Sequence, residues 1–140
     1  MKIVYTGEKD TRLFKEALGQ TIGRLLEEDP DVLYLDADLM SCIGTAKLPA
    51  KTDRAIDCGI AEGNMMGVAA GLATMGYVPF VSSFAMFAAG RAFEQIRNSI
   101  AYPRLNVKIG ATHGGISVGE DGASHQCCED FALMLSLIHI

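Results

Sequence analysis

Between Gly63 and Gly90 the chain runs for 28 residues without one charged side chain. A stretch of that length either crosses a bilayer or forms the buried centre of a folded domain. Gly76 and Pro79 stand in its middle, with Ser82 and Ser83 close behind, and glycine and proline interrupt a continuous helix. The stretch therefore reads as a helix, a turn, a buried strand and the start of a second helix, and no membrane partner is expected.

The flanking segments continue the alternation. Phe14, Leu18, Ile22, Leu25 and Leu26 recur at three- and four-residue steps, which predicts an amphipathic helix over 11–28. Asp10 is positioned to cap it and Pro30 to stop it. Val32-Leu33-Tyr34-Leu35 is an apolar run ending in Asp36-Ala37-Asp38, as a buried parallel strand reads at its C-terminal edge. A loop is expected over 42–53 and a short strand at 54–58. A helix follows at 62–75, a strand at 78–82 and a helix at 86–101. The remainder reads as a strand at 107–111, a polar loop at 112–126 and a short helix near 128–135. Helix alternating with strand implies an α/β fold, a mostly parallel sheet with helices on both faces. Gly63, Gly67 and Gly71 are spaced four apart, so one face of the second helix is bare. Each glycine costs about 1 kcal/mol of helix propensity, so close packing must offset about 3 kcal/mol. With the uncharged stretch, this face predicts a large apolar contact with other chains.

Composition narrows the classes of function. A length of 140 residues suits one domain. Twelve basic against 17 acidic residues leave a net charge of −5 with no basic run, which disfavours nucleic acid and anionic membranes as partners. Apolar content of 49% with 21% charged residues excludes a disordered chain. The cysteines, Cys42, Cys58, Cys127 and Cys128, make no two-residue-spaced pair of zinc-ligand type. The opening Met1-Lys2-Ile3-Val4 carries no secretory signal. Reduced thiols and a cytoplasmic location are expected, without a disulfide framework.

In sheets of this kind ligands gather outside the carboxyl ends of the strands. The segments there are 36–41, 59–64, 83–87 and 113–126, and they hold every chemically interesting residue. His113, Gly114, Gly115, Gly119, Glu120, Asp121, Gly122, Ser124 and His125 form the densest polar cluster. Such a loop either binds sugar hydroxyls, shuttles protons or holds a metal, or is a solvated glycine loop with surface histidines. Glu62 opens the uncharged stretch, so partial burial is expected. A desolvated carboxyl can hold or share a proton near neutrality, a helix N-terminus favours the opposite, and a solvent-facing glutamate is the plain alternative. Phe84 and Phe87, three apart, are either core or an aromatic wall for a flat heterocycle. Asp36 and Asp38 alternate across a strand end, so only one points into any cleft. A hydrolase triad of Ser124, His125 and Asp121 is disfavoured by its closeness in sequence. Cys127 and Cys128 read as packing at a helix start.

These residues are recognisable together. Asp57-Cys58-Gly59-Ile60-Ala61-Glu62-Gly63-Asn64-Met65 resembles the "GIAE-N-M" signature of thiamine-diphosphate enzymes of the transketolase group. Gly119-Glu120-Asp121-Gly122-Ala123-Ser124-His125-Gln126 resembles the "GEDGPTHQ" signature of transketolases, and Ala111-Thr112-His113 the "ATH" before it. Phe84-Ala85-Met86-Phe87-Ala88-Ala89-Gly90 resembles the aromatic segment between them. The resemblance implies a transketolase-like pyrimidine-binding domain over 1–134, with 135–140 an aberrant or truncated tail. The start at Met1 suggests the split form of the enzyme. Deoxyxylulose-phosphate synthase is the alternative, although it typically has "DRAG" where this chain has Thr112-His113-Gly114-Gly115. An inactive fragment acting as an interaction module is a third reading.

The resemblance also implies roles. Thiamine diphosphate works through the C2 carbon of its thiazolium ring. Its own aminopyrimidine removes the C2 proton, in the imino form that a carboxyl on the far ring nitrogen promotes. Glu62 matches that carboxyl, and Phe84 and Phe87 match aromatics packed on the aminopyrimidine. Val81 stands where the family often has a third aromatic. Asp38 matches an aspartate near the cofactor, with Leu39 and Ile60 as apolar supports. His113 and His125 match catalytic histidines facing the sugar. Asp121 matches a reader of hydroxyl stereochemistry, and Arg12 an arginine on the sugar phosphate, assisted by Ser41. No glycine–aspartate–glycine run followed downstream by asparagine occurs. The resemblance therefore implies that Mg2+ and the diphosphate are held by a partner, a diphosphate-binding transketolase subunit in a homo- or hetero-oligomer. The substrates it implies are sugar phosphates, and no metal ligand is expected in this chain.

Overall fold

The apolar run at 32–35 becomes an interior strand, and the other elements cover its two sides. A computed structural model describes residues 7, 11, 13–116 and 118–139. Strand β1 (Val32–Asp36) is buried at every position. With β2 (Ala55–Asp57), β3 (Val78–Phe84) and β4 (Lys108–Thr112) it makes a four-stranded sheet of order β2-β1-β3-β4. All three pairings are parallel, with Leu35 opposite both Ile56 and Val81, and Ser83 opposite Ala111. The α/β fold with a parallel sheet is thus the observed one.

Strand side chains alternate between faces, and β1 shows both faces covered. Val32 and Tyr34 pack with Ile22 and Leu26 of α1 (Phe14–Glu28) and with Met40 of the short α2 (Met40–Ile43). Leu33 and Leu35 pack with Met65, Met66 and Ala69 of α3 (Glu62–Thr74), and with Ile96 and Ile100. Helix α1 begins at Phe14, later than the periodicity suggested; Leu13 precedes it without a side-chain cap. The expected cap, Asp10, lies outside the described residues. Phe14 is exposed although it fits the apolar spacing, because the first turn of α1 lies beyond the core. The loop expected over 42–53 begins inside a single helical turn, α2, which is ended by Gly44 at φ 85°. Gly44 is also where α1 comes close. A Cβ on Gly19 would press on the Gly44 carbonyl oxygen. By contrast, Gly67 and Gly71 on α3 meet nothing within 4 Å, whereas Gly63 faces the Gln95 side chain, so the bare face anticipated there is packed only at its first turn among the described residues.

The helix expected over 86–101 is present in three pieces. They are π1 (Met86–Arg91), α4 (Phe93–Gln95) and π2 (Ile96–Ala101). In the wide turns the hydrogen bonds reach five residues back, Ala92 N–H to Phe87 O at 3.1 Å and Tyr102 N–H to Arg97 O at 3.0 Å. Ala88, Ala89 and Ala92 are buried at this winding, and small side chains let the broader backbone sit against the core. Helix α5 (Asp130–Ser136) starts slightly later than expected and crosses the 134/135 boundary; Leu137, in the turn after it, packs against the core. Among the described residues no helix is long and apolar enough to cross a membrane.

Candidate functional site

The carboxyl ends of the strands carry the site. Chain order alone puts Asp38 just past β1, Glu62 on the first turn of α3 after β2, Phe84 at the end of β3 and His113 just past β4. Because neighbouring strands are parallel, these positions converge on one edge of the sheet. An open cleft of about 420 Å³ there is lined by Ala37, Asp38, Leu39, Ile60, Glu62, Phe87, Arg91, Ser124 and His125.

Glu62 is only 1% exposed. Its two carboxylate oxygens accept hydrogen bonds from Arg91 Nη1 at 3.0 and 2.9 Å. The guanidinium carbon lies 4.5 Å from the centre of the Phe87 ring. Phe87 and Phe84 are stacked, 6.0 Å apart and 14° from parallel. The two histidines complete this cluster from different sides. His125 sets its edge against Phe87 at 5.1 Å and Phe84 at 6.2 Å, whereas His113 lies 4.1 Å from Phe84. His113 opens on an adjacent depression with Leu13, Phe14, Lys15 and Thr112, and its Nδ1 is 2.7 Å from the Thr112 hydroxyl.

The backbone around the cleft is held in unusual conformations. Asp38 and His113 have φ of 63° and 57°, a region that non-glycine residues enter at a cost of about 1 kcal/mol or more. The turn at Asp38 is fixed from below by two carboxylates. Asp57 Oδ1 accepts from Asp38 N–H at 3.0 Å and from Gly59 N–H at 2.9 Å, tying together the loops after β1 and β2. Asp36 Oδ1 accepts from Leu39 N–H at 2.6 Å, and Asp36 Oδ2 from the Tyr34 hydroxyl at 2.8 Å. The Tyr34 oxygen is also 2.9 Å from Thr45 Oγ1. Burial pushes the Asp36 carboxyl above the ordinary carboxylate range, an effect that the Leu39 and Tyr34 donors partly offset. Burial likewise raises the Tyr34 phenol, which keeps it a donor. Of the two alternating aspartates, Asp38 lines the cleft and Asp36 is fully buried beneath it. The glycine loop is closed at its base by paired backbone hydrogen bonds between Gly115 and the buried Cys127, at 2.7 and 3.1 Å.

The structure therefore brings Asp38, Leu39, Ile60, Glu62, Phe87 and His125 to one cleft, with Phe84 behind Phe87 and His113 beside Phe84. Ser41 and Asp121 are exposed and do not line it. Arg12 lies outside the described residues. Two contributors were not anticipated. Arg91 is the first charge after the uncharged stretch and Glu62 the last before it, and that bracketing was the available signal. Asp57 acts by joining the backbone of its own loop, at Gly59, to that of the loop after β1, at Asp38, which no spacing reveals. Among the described residues no group of three or more His, Cys, Asp or Glu side chains could hold a metal ion.

A family model described as "Transketolase, pyrimidine binding domain" matches residues 11–138. A Methanocaldococcus jannaschii protein named as a transketolase C-terminal section is 52% identical over 124 residues, covering 88% of this chain and 39% of that protein. A 6-deoxy-6-sulfo-D-fructose transketolase subunit from a Clostridium species is 42% identical over 112 residues, covering 79% of this chain and 35% of the relative. Among solved structures, a split-gene transketolase described as an inactive beta4 tetramer superposes with a TM-score of 0.71 at 55% identity. That match covers 86% of this chain and 38% of the other. The chain thus spans about two fifths of the length of these relatives. With a family match over most of its length and a parallel α/β fold common to its structural relatives, this chain belongs to the transketolase pyrimidine-binding domain family.

Proposed function

We propose that this chain supplies the aminopyrimidine side of a thiamine-diphosphate-dependent transketolase site that transfers a two-carbon ketol unit between sugar phosphates. The unit responsible is 1–134. The observation that carries the reading is the Glu62 carboxyl, buried at the base of a cleft beside a stacked pair of phenylalanines. That pairing of a carboxyl with an aromatic face suits a flat heterocycle with a ring nitrogen, since a buried carboxyl needs a polar partner and an aromatic face favours offset stacking. Stacking of this kind adds about 0.5–1.5 kcal/mol beyond burial.

When bound, thiamine diphosphate supplies the nucleophilic carbon that carries the ketol unit. The chain's own residues bind, orient and handle protons. Glu62 holds or gives a proton at the far ring nitrogen. Phe84 and Phe87 orient the ring, and Ile60 and Leu39 shield it from water. Asp38 faces the cofactor from the loop after β1. His125 and His113 handle protons and oxygens of the sugar, Asp121 reads its hydroxyls, and Arg12 with Ser41 takes the sugar phosphate. Mg2+ and the diphosphate belong to a partner subunit.

The test mixes this chain with a diphosphate-binding subunit, thiamine diphosphate and Mg2+, and measures ketol transfer between sugar phosphates. Glu62→Ala is expected to abolish turnover while leaving the fold and the partner contact intact. Near-normal turnover in that variant would refute the assignment. Release of carbon dioxide from pyruvate, in place of ketol transfer, would identify the synthase chemistry instead.

A further inference from the structure

We propose that Arg91 is an internal occupant of the position the aminopyrimidine takes, so that the cofactor must displace it to reach Glu62; this rests on the reading of the cleft given above. A guanidinium is flat, cationic and edged with N–H donors. Here it lies 4.5 Å over the Phe87 ring and donates to both Glu62 oxygens at 2.9 and 3.0 Å. A heterocycle that stacks on Phe87 and hydrogen-bonds to Glu62 needs that same face and those same oxygens. Two flat groups cannot share them.

The two partners differ in their freedom to move. The Arg91 side chain is 53% exposed and the Glu62 side chain 2%. The arginine can swing outward into water, whereas the carboxylate stays at the base of the cleft. The pairing also has a purpose in the cofactor-free chain, because a buried carboxylate left without a partner is costly. Arg91 supplies that partner until the cofactor replaces it. The competition lowers apparent affinity by the fraction of molecules in which the site is free. A half-exposed ion pair joined to a cation–π contact corresponds to a closed fraction that weakens binding about ten-fold.

The test measures thiamine diphosphate binding by titration calorimetry, with Mg2+ present, on the complex of this chain with a diphosphate-binding subunit. The proteins compared are the wild type, Arg91→Gln and Arg91→Lys. Arg91→Gln is expected to tighten Kd about ten-fold and to lower the thermal midpoint of the cofactor-free complex without lowering that of the loaded one. Arg91→Lys keeps the charge but has no plane to lay on Phe87, so it should tighten Kd by less. A Kd within two-fold of wild type for Arg91→Gln, or a weaker one, overturns the proposal and leaves the cofactor reading standing. A wild-type complex that binds no thiamine diphosphate overturns the cofactor reading itself, and this proposal with it.

Discussion

Removing a single oxygen from Tyr34 tests how the floor of the cleft is held. Tyr34 is fully buried, and its hydroxyl donates to Asp36 Oδ2 at 2.8 Å while sitting 2.9 Å from Thr45 Oγ1. Tyr34→Phe keeps the ring in the core and removes the hydroxyl with these contacts. A hydrogen bond to a charged group is worth about 1.5–3 kcal/mol and one between neutral groups about 1 kcal/mol, so the loss should total about 3 kcal/mol. For a domain of this size that lowers Tm by about 10 °C. The loss should also depend on pH. Burial raises the native carboxyl of Asp36 above its unfolded value. The native state therefore binds the extra proton, and stability falls as pH rises from the unfolded carboxylate value through the native one. Tyr34 donates to the ionised form, so its removal should deepen that fall. The penalty should be larger at pH 7.5 than at pH 4.5. In an Asp36→Asn background, where no charge remains, it should shrink to about 1 kcal/mol. Urea unfolding of the four proteins at both pH values provides the measurement. An equal Tyr34→Phe penalty in both backgrounds and at both pH values would show that the hydroxyl does not act through the Asp36 charge.

Other substitutions probe the scaffold. Arg54 Nη1 donates to the carbonyls of Asp29 and Val32 at 2.8 Å each, and Nη2 donates to that of Leu26, clamping the end of α1 to the start of β1. Arg54→Ala should cost about 2–3 kcal/mol in denaturant unfolding. Gly19→Ala and Gly71→Ala both improve helix propensity by about 1 kcal/mol, yet their signs should differ. The first forces a methyl onto the Gly44 carbonyl, for a net loss of about 1–2 kcal/mol, whereas the second meets open space and should stabilise the isolated chain. Thiol titration of the native chain should show Cys42 and Cys128 reacting fast, since both are exposed. Cys58 and Cys127 should react slowly, because burial pushes both thiols up. Four equal rates would contradict the packing described.

Much of the architecture was legible because it is written in local pattern. The three- and four-residue apolar steps over 14–26 mark a helix and the apolar run at 32–35 a buried strand, and the alternation of such segments implies a parallel sheet. That in turn puts Asp38, Glu62, Phe84 and His113 at one edge before any coordinate is known. The glycine-rich loop and the burial expected at Glu62 followed from composition over a few neighbouring residues.

Only the tertiary structure decided which of those residues meet. The strand order β2-β1-β3-β4 sets that, and it depends on packing between segments far apart in the chain. It brings the carboxylate of Asp57 under the backbone of Asp38, and the α1 backbone at Gly19 against Gly44, while leaving Gly67 and Gly71 bare. It also turns the wide-wound segment after β3 so that Arg91 reaches back 29 residues to Glu62 across the face of Phe87. A sequence can mark both ends of an uncharged run, but the pairing of those ends depends on a fold that carries one back to the other, and on the cost of leaving a buried carboxylate alone.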